Sequence, residues 1–469
     1  MPPAPTAAAL MVAAPASGQG KTTVTAALAR LHTRHGRRVR VFKCGPDFLD
    51  PHWHRLASGA PVHQIDLWMT GEADIRARLA AASQEADLLL LEGVMGLYDG
   101  EPSAADLARH FGVPVLAVVD ASSMAQTFGA VAHGLRHWQA GTHGPLPWAG
   151  VLANRVGSER HADMLQQAVG DDWLGALMRN PQLQLPERHL GLVAAHELPD
   201  AIARLDAAAD GLADTPLGRL SPVELAQRFP WTPSVDSISV AANARPERVG
   251  RHFDFKNKPL AGHTVAVARD AALCFIYDAN LDTLCHLGAQ VVFFSPLADA
   301  ALPRCDAVWL PGGYPELHAA TLAANHALRE ALRAHVAQGK PVWAECGGMM
   351  LLFDELVDQA GVAYPMWGLL PGRVVMQKRL AALGPQQLDL PAGSLRGHTF
   401  HWSLTETPLP AVARTTGPGA AAQPVATGQD GEALYAQGPV RASYFHAWFP
   451  SAPAAVAQLL SPEPLGDVT

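Results

Sequence analysis

Ser17-Gly18-Gln19-Gly20-Lys21-Thr22-Thr23 is the most informative stretch for the fold of the first half of the chain. It follows an apolar run, residues 8–12, that is typical of a buried strand, and it precedes residues 24–29, which are typical of the start of a helix. A glycine-rich loop between a strand and a helix turns its backbone N–H groups towards phosphate oxygens. Pro15 stands where the G-x-x-x-x-G-K-[ST] pattern has its first glycine, so we predict a variant phosphate-binding loop.

This loop is predicted to bind ATP, because its lysine would reach the outer phosphates and its first threonine would ligate Mg²⁺. The residues expected at the nucleotide are Ser17, Gly18, Gly20, Lys21, Thr22, Thr23 and Asn154. Asn154 follows a later apolar run, and its amide is predicted to read the adenine edge. The competing interpretation is a glycine-rich turn that carries lysine and threonine by chance, and the flanking strand and helix argue against it.

Carboxylates follow two further apolar runs, at positions that predict ligands at the carboxyl edge of a parallel sheet. The second run leads to a proline-stiffened loop that holds Asp47 and Asp50, and the third ends directly before Glu92. A carboxylate after such a strand holds Mg²⁺ in phosphate-loop enzymes, so we predict Mg²⁺ ligation by Thr22, Asp47 and Glu92. For Asp47 and Asp50 the alternative is a turn in which aspartate binds only the local backbone.

Three other polar residues lie near these carboxylates. Asp99 lies in the glycine-rich stretch after Glu92. If that stretch folds back, Asp99 would face the ligand crevice at the carboxyl edge of the sheet. His52 and His54 follow Asp50, and without further ligands nearby in sequence we interpret them as loop residues rather than as a metal pair.

The composition limits the class of protein and its partners. The chain has 469 residues, enough for two or three domains, and its formal net charge of -8 argues against general affinity for nucleic acid. Five cysteines, none in C-x-x-C spacing, indicate a reducing compartment and no zinc framework. No basic residue precedes the first apolar run, and no apolar run approaches the roughly 18 residues of a membrane span. We therefore expect a cytoplasmic protein that acts on small molecules and has no membrane partner.

The alternation of apolar runs and helical segments predicts an α/β protein with two domains. We expect a phosphate-loop domain with a parallel sheet at residues 1–205, a connector rich in proline and polar residues at 206–260, and a second α/β domain at 261–469. The further predicted strands lie at residues 115–120, 148–153, 186–193 and 264–268, and residues 407–439 predict a surface excursion before the last strand.

Residues 341–352 predict a strand, a sharp turn with Cys346 at its tip, and a helix, which is the arrangement of a nucleophile elbow. The helix N-terminus would favour the thiolate and so activate it for attack on a carbonyl. Gly312 and Gly313 follow another predicted strand, and their N–H groups, with that of Gly347, would stabilise an oxyanion. His446, at the end of a late strand, is the expected base. A buried inert cysteine is the alternative, but the combination predicts a Cys-His amidotransferase site.

The second half of the chain resembles class I glutamine amidotransferases, and the first half is similar to dethiobiotin synthetase, a phosphate-loop enzyme that activates carboxylates. Over nearly the whole chain, the two domains in this order resemble the cobyrinate (or hydrogenobyrinate) a,c-diamide synthases of cobalamin biosynthesis. The stretches that carry this resemblance are residues 17–23, 45–51, 92–100, 188–192, 310–316, 344–348 and 397–403. Trp448 stands where many amidotransferases have an acid that orients the histidine, which implies a Cys-His dyad, and Thr399 stands where the family often has glutamate.

The resemblance implies ATP- and L-glutamine-dependent amidation of the a and c acetates of a corrinoid tetrapyrrole carboxylic acid. The first domain would convert a carboxylate into an acyl phosphate, and glutamine-derived ammonia would displace the phosphate. By carry-over from the family, the residues that would orient the substrate carboxylates are Phe48, Leu49, Asp50 and Asp99.

Three other functions remain open at this level. Cobyric acid synthase joins the same two modules, although residues 45–51 and 188–191 favour the a,c-diamide synthases. A second alternative is a partition-type nucleotide switch, which would not need Cys346 and His446 together. A third is a plain glutaminase, which would have no use for a phosphate-binding loop. The oligomeric state is also open, with a homodimer as the assembly we consider.

Overall fold

In the computed structural model, the described residues are 7–183, 185–188, 191–193, 195–233, 258–418 and 431–463. The chain divides into two compact units. The first comprises Met1–Leu67 and Glu72–Val249, and the second comprises Trp68–Gly71 and Gly250–Thr469.

The first unit is built on a seven-stranded sheet in which all neighbouring strands are parallel. Its strands are β1 (Ala8–Ala13), β2 (Val39–Cys44), β3 (His63–Ile65), β4 (Leu88–Glu92), β5 (Val115–Asp120), β6 (Trp148–Val156) and β7 (Trp173–Met178). Their order across the sheet is β3-β2-β4-β1-β5-β6-β7. The phosphate loop after β1 and Glu92 at the end of β4 therefore emerge from adjacent strands, at the same edge of the sheet.

Strand β4 shows why its sequence is a continuous apolar run. Leu89 and Leu91 belong to the core on one face of the sheet, whereas Leu88 and Leu90 belong to the core on the other face. All four leucines are fully buried. A strand that is covered on both faces has no solvent side, so the alternation of apolar and polar residues disappears.

Helices connect these strands or follow the last of them, and they cover both faces of the sheet. They are α1 (Lys21–Arg34), α2 (Asp50–Ser58), α3 (Glu72–Glu85), α4 (Ala104–Phe111), α5 (Thr127–His137), α6 (Ala140–His143), α7 (Glu159–Val169), α8 (Ala201–Ala213) and α9 (Pro222–Arg228), with short 3-10 turns at Gly170–Asp172, Pro181–Leu183 and Ala195–Glu197.

Some parts of the first unit differ from the sequence-based prediction. His52 and His54 lie in helix α2 and not in a loop, because Pro51 in the first turn of a helix needs no backbone N–H. The edge strands β3 and β7 were not predicted. The stretch 186–193 adds no strand to the main sheet; it forms β8 (Glu187–Arg188) and β9 (Gly191–Leu192), a separate antiparallel pair.

The first unit continues past residue 205, the predicted end of the first domain. Helix α8 crosses that position and buries Leu205 and Leu212 in the core beside the sheet. Helix α9 adds Leu225 to the same core. Residues 234–257 of the predicted connector lie outside the described residues.

The second unit also has a seven-stranded sheet, together with two smaller sheets. Its strands are β10 (Thr264–Ala268), β11 (Gln290–Phe294), β12 (Ala307–Leu310), β13 (Val342–Glu345), β14 (Phe353–Val357), β15 (Ala363–Pro365), β16 (Leu370–Met376), β17 (Ala382–Leu390), β18 (Gly393–His401), β19 (Ser403–Glu406), β20 (Ala413–Arg414), β21 (Ala433–Gln437), β22 (Val440–Ser443) and β23 (His446–Trp448). Its helices are α10 (Asp278–His286), α11 (Ala319–Ala324), α12 (His326–Ala337), α13 (Gly347–Met350) and α14 (Pro453–Leu459), with 3-10 turns at Pro315–His318 and Phe449–Ser451.

The order of the large sheet is β11-β10-β12-β13-β22-β21-β20, with β13 near its centre. Strand β13 is parallel to both of its neighbours, β12 and β22. The stretch 407–439, predicted as a surface excursion, contributes β20 and β21, which extend this sheet at one edge by antiparallel pairing. The smaller sheets have the orders β15-β14-β16-β19 and β17-β18-β23. Among the described residues, no helix is long and apolar enough to cross a bilayer.

Candidate active sites

The phosphate loop has the backbone shape that its sequence predicts. Gly18 and Gly20 have φ angles of 76° and 97°, in the left-handed region that side chains disfavour. Helix α1 begins directly after Gly20, at Lys21. The Lys21 ammonium donates to the carbonyl oxygens of Ala16 at 3.0 Å and Met95 at 2.6 Å. Burial lowers the pKa of Lys21, against the opposing effect of Glu92. In the free protein, backbone carbonyl groups therefore hold the Lys21 ammonium in place.

A cavity of about 640 Å³ lies beside this loop. That volume is in the usual range for a small-molecule site. Its lining includes the residues predicted to bind ATP and Mg²⁺, together with Asp50: Ser17, Gly18, Gly20, Lys21, Thr22, Thr23, Asp47, Asp50, Glu92 and Asn154. The structure therefore brings these predicted residues together in one place.

Glu92 is the centre of a buried polar network in this cavity. Its Oε1 accepts hydrogen bonds from Thr22 Oγ1 at 2.8 Å and from Lys43 Nζ at 2.9 Å. Lys43 Nζ also pairs with Asp50 Oδ2 at 2.6 Å. The other carboxylate oxygen of Glu92, Oε2, contacts His54 Nε2. Sequence reasoning missed Lys43 and His54. Lys43 had an available signal, since it stands at the carboxyl end of β2 beside β4.

In this network, neighbouring opposite charges keep Glu92 and Lys43 in their ionised forms despite burial. Burial alone would raise the pKa of Glu92, but Lys43 and His54 lower it below its ordinary range. Burial alone would lower the pKa of Lys43, but Asp50, Glu92 and Asp47 raise it well above its ordinary value. Glu92 is thus an ionised carboxylate and Lys43 is an ammonium. Burial, and next the charge of Asp50, raise the pKa of Asp47 to about 7.

The oxygen donors in this cavity suit Mg²⁺. Mg²⁺ takes oxygen ligands in an octahedron at about 2.0–2.1 Å, which places neighbouring ligands about 2.9 Å apart. Thr22 Oγ1 and Glu92 Oε1 are 2.8 Å apart. No group of three or more histidine, cysteine or acidic side chains that could hold a metal occurs in the described parts of the chain. Phosphate oxygens and water would therefore have to complete the coordination, as is usual for nucleotide-bound Mg²⁺.

The four residues predicted to orient the substrate differ in their surroundings. Asp50 lines the cavity but is paired with Lys43. Phe48 and Leu49 are 8% and 7% exposed, and neither is among the residues that line the cavity. Asp99 is exposed, and its carboxylate accepts the backbone N–H of Gly96 at 3.0 Å. The structure does not bring these four side chains to one surface of the cavity.

Two predicted ligands also bind the protein itself. Asp47 Oδ1 accepts the backbone N–H of Leu49 at 2.7 Å, which is the local turn contact weighed as its alternative role. Asn154 Nδ2 donates to the carbonyl oxygen of Gln19 at 2.9 Å. Asn154 therefore braces the phosphate loop, and its Oδ1 accepts the backbone N–H of Arg155 at 2.9 Å.

In the second unit, Cys346 lies at the tip of a sharp turn between β13 and α13. Its φ and ψ are 44° and -109°, a conformation that a non-glycine residue adopts only under strain. Its backbone N–H donates to the carbonyl oxygen of Ser443 at 2.8 Å, which ties the turn to the end of β22. The predicted elbow is present, although α13 has only four residues.

The prediction that the helix N-terminus favours the thiolate is wrong for the free protein. Cys346 is 4% exposed, and burial, with help from nearby carboxylates such as Glu316, raises the pKa of its thiol well above the ordinary value. A helix of one turn supplies too little partial charge to offset this desolvation. The thiol is therefore protonated at neutral pH, so attack by this sulfur would need a base to accept its proton.

The three glycines are packed closely: Gly347 lies against Gly313, and Gly312 lies against His446. A methyl group at Gly347 would lie 2.8 Å from the backbone nitrogen of Gly313, so the elbow is packed directly on the glycine pair. A methyl group at Gly312 would overlap Cε1 of His446 and would lie 3.0 Å from its Nδ1. The predicted oxyanion residues and the predicted base therefore form one cluster with the elbow. His446 begins β23 and is not the end of β22 as expected.

The surroundings of His446 keep its imidazole neutral. The residue is 1% exposed, and burial, followed by the neighbouring His398 and His401, lowers its pKa well below the ordinary value. Trp448, at the position of the expected acid, is fully buried. The ring of His398 stacks on that of His446, a partner that sequence reasoning did not assign although it lies in the quoted stretch 397–403. Thr399 donates to Glu432 Oε1 at 2.8 Å.

Comparison with known proteins agrees with this pair of sites. Residues 10–193 match the family model of the CobQ/CobB/MinD/ParA nucleotide binding domain, and residues 264–454 match that of the CobB/CobQ-like glutamine amidotransferase domain. Together these two models span both sites: the phosphate loop with Glu92, and the elbow with His446.

Full-length relatives give a more specific result. The chain is 55% identical over 456 residues to a hydrogenobyrinate a,c-diamide synthase of Stutzerimonas stutzeri (strain A1501), covering 97% of this chain and 98% of the relative. It is 54% identical over 459 residues to the Pseudomonas aeruginosa protein of that name, covering 97% of each. It is 48% identical over 462 residues to a cobyrinate a,c-diamide synthase of Herminiimonas arsenicoxydans, covering 98% of each. The chain belongs to the family of cobyrinate and hydrogenobyrinate a,c-diamide synthases.

Proposed function

We propose that this protein is a glutamine-hydrolysing amidoligase that converts the a and c acetate carboxylates of cobyrinic or hydrogenobyrinic acid into amides. The observation that carries this proposal is the identity of 55% to a hydrogenobyrinate a,c-diamide synthase over 97% of the chain. The two sites supply the two half-reactions that such an amidation requires.

The first unit would activate the carboxylate. Hydroxide is too poor a leaving group for ammonia to displace it from a carboxyl group at a useful rate. One carboxylate oxygen therefore first attacks the γ-phosphorus of ATP, and ADP leaves. Lys21 would change its partners from Ala16 and Met95 to phosphate oxygens, and the other loop residues would cradle the phosphates. Mg²⁺, held by Thr22, Glu92 and Asp47, would supply neutralisation of phosphate charge.

Substrate contacts in the first unit would come from the cations and carboxylates beside this loop. Lys43, an ammonium between Asp50 and Glu92 that also lines the cavity, would contact the substrate carboxylate or the phosphoryl group in transfer to it. Asp50, Asp99, Phe48 and Leu49 remain the residues that we propose to orient the corrin acetates, and Asp50 is the one of the four that lines the cavity.

The second unit would release ammonia. Cys346 Sγ attacks the side-chain amide carbon of L-glutamine while His446 takes the thiol proton. The oxyanion of the tetrahedral intermediate would lie against the N–H groups of Gly313 and Gly347 in the cluster with Gly312. His446 returns the proton to the departing nitrogen, and water hydrolyses the thioester to glutamate. Ammonia then attacks the acyl phosphate carbon, and inorganic phosphate leaves.

The decisive experiment counts added amides. The protein is incubated with ATP, Mg²⁺ and L-glutamine, and cobyrinic and hydrogenobyrinic acid are offered in separate reactions that are analysed by mass spectrometry. Two amides on one of the acids support the proposal and identify whether the corrin substrate carries cobalt. More than two amides would favour a cobyric acid synthase, and none on either acid would contradict the proposal. Sizing chromatography of the same preparation tests for a homodimer.

A further inference from the structure

His54 contacts Glu92 but is not part of the cavity wall. It is fully buried and is not among the residues that line the cavity, whereas Thr22, Lys43 and Glu92 are. Its Nε2 contacts Glu92 Oε2, while both partners on the cavity side bind Glu92 Oε1. One oxygen of this carboxylate thus bonds to residues that line the cavity, and the other bonds to a residue outside the lining.

The direction of the His54 contact follows from the groups involved. An ionised carboxylate can only accept hydrogen bonds, so Nε2 of His54 carries the proton and donates. Nδ1 of His54 is buried and has no hydrogen-bond partner within the described residues. The ring therefore keeps a single directed polar interaction, and that interaction is with Glu92.

Helix α2 places this histidine and Asp50 on one face. The two residues are four positions apart, which puts their side chains on the same side of a helix. Asp50 binds Lys43 at 2.6 Å, Lys43 binds Glu92 Oε1 at 2.9 Å, and His54 binds the other oxygen, Glu92 Oε2. Ser58 Oγ donates to the backbone carbonyl of His54 at 2.8 Å and supports the helix at that point.

We propose that His54 is a positioning residue, which fixes the Glu92 carboxylate in the orientation that nucleotide-bound Mg²⁺ requires. Mg²⁺ tolerates little departure from octahedral geometry, and ligand carboxylates are usually held by a second hydrogen bond. A divalent cation at Oε1 would compete with Thr22 and Lys43 for the lone pairs of that oxygen. The bond from His54 is made to the other oxygen, Oε2, and would not be subject to this competition. This inference rests on the proposed role of Glu92 as a Mg²⁺ ligand.

The test measures cation affinity without catalysis. Mn²⁺ is titrated into the full-length protein with a non-hydrolysable ATP analogue, and free Mn²⁺ is read by electron paramagnetic resonance. We expect His54→Leu to weaken Mn²⁺ binding about 10- to 100-fold, as for other residues that support metal ligands. His54→Gln, which keeps an N–H donor at similar reach, should recover most of that loss.

Two controls separate positioning from folding. His32 is a second fully buried histidine of the first unit, and its Nδ1 faces Arg37 rather than Glu92. His32→Leu removes a comparable side chain, and we expect Mn²⁺ affinity to stay at the wild-type value. If His54→Leu fails to fold, His54→Asn replaces it, because its shorter amide cannot reach Glu92 Oε2.

The outcomes distinguish the inference from the proposed function. The role of His54 is overturned if His54→Leu binds Mn²⁺ as tightly as the wild type, or if His54→Gln is weakened as much as His54→Leu. The assignment of Glu92 as a ligand survives either result if Glu92→Gln itself binds Mn²⁺ more weakly. Wild-type affinity in Glu92→Gln instead overturns the assignment of Glu92 as a ligand, and the inference with it.

Discussion

His398 and His446 face each other across the antiparallel strands β18 and β23, with their rings stacked at a centroid distance of 5.1 Å and an angle of 18°. The hydroxyl of Tyr277 lies 3.2 Å from Nδ1 of His398. Burial lowers the pKa of His398 to about 3, so its ring is neutral. The ring that packs on His446, the base that we propose, is therefore a neutral imidazole, whereas Trp448 stands where the resemblance to amidotransferases leads us to expect an orienting acid.

Removing this ring should impair glutamine hydrolysis. We expect His398→Ala to lower kcat/KM for glutamine about 2- to 10-fold, because an aromatic pair contributes about 0.5–1.5 kcal/mol. His398→Phe keeps a flat ring and should retain most of the activity. Glutaminase assays of both variants check this, and a His398→Phe variant as slow as His398→Ala would show that stacking is not what matters.

Gly312→Ala should disable the second site more severely. The added methyl group would overlap the ring of His446 and displace it from the elbow. A displacement of about 1 Å in a catalytic group costs on the order of 100-fold in rate, and we expect a glutaminase loss of that size. Gly134→Ala is the control, since its methyl group would meet no atom within 4 Å and should leave the rate unchanged. Near wild-type hydrolysis in Gly312→Ala would argue against His446 as the base.

Cys346→Ser should separate the two half-reactions. The hydroxyl is a far weaker nucleophile than the thiol, so we expect glutamine-dependent amidation to fall to background. Amidation with added ammonium chloride should remain near the wild-type rate, because the phosphate loop is untouched. Both rates are measured by phosphate release, and persistence of the glutamine-dependent reaction would exclude Cys346 as nucleophile.

Glutamine hydrolysis should not show the loss of activity near pH 6.5 that protonation of an ordinary histidine base would cause. Burial, then His398 and His401, hold the pKa of His446 well below its ordinary value. The neutral imidazole, which is the form that accepts the thiol proton, therefore persists as pH falls below about 6.5, where an ordinary histidine is half protonated. We expect kcat/KM for glutamine to stay nearly constant from about pH 8 to about pH 6. A loss of half the activity near pH 6.5 would contradict the neutral environment of His446.

Lys43→Met should destabilise the first unit. The ammonium is 3% exposed and lies between Asp50 and Glu92, so its removal leaves two carboxylates close together without their cation. Losing one partner of a buried ion pair costs about 3–5 kcal/mol. Adding Glu92→Gln to Lys43→Met removes one stranded charge and should recover part of the stability. Chemical unfolding of the three proteins measures this, and no recovery in the double variant would mean that charge is not the cause.

Short stretches of consecutive residues were enough to predict the local structural motifs of this protein. The phosphate loop with its left-handed Gly18 and Gly20, the elbow at Cys346 and Glu92 at the end of β4 each depend on a few consecutive residues, whose spacing sets the backbone. The distant side chains that contact these motifs could be identified only from the folded chain. His54 reaches Glu92 from 38 positions away and Lys43 from 49, and the ring of His446 packs on Gly312 across the fold. The burial that raises the pKa of the Cys346 thiol also arises only once the core closes around the elbow, because desolvation depends on packing in space and not on neighbours in the chain.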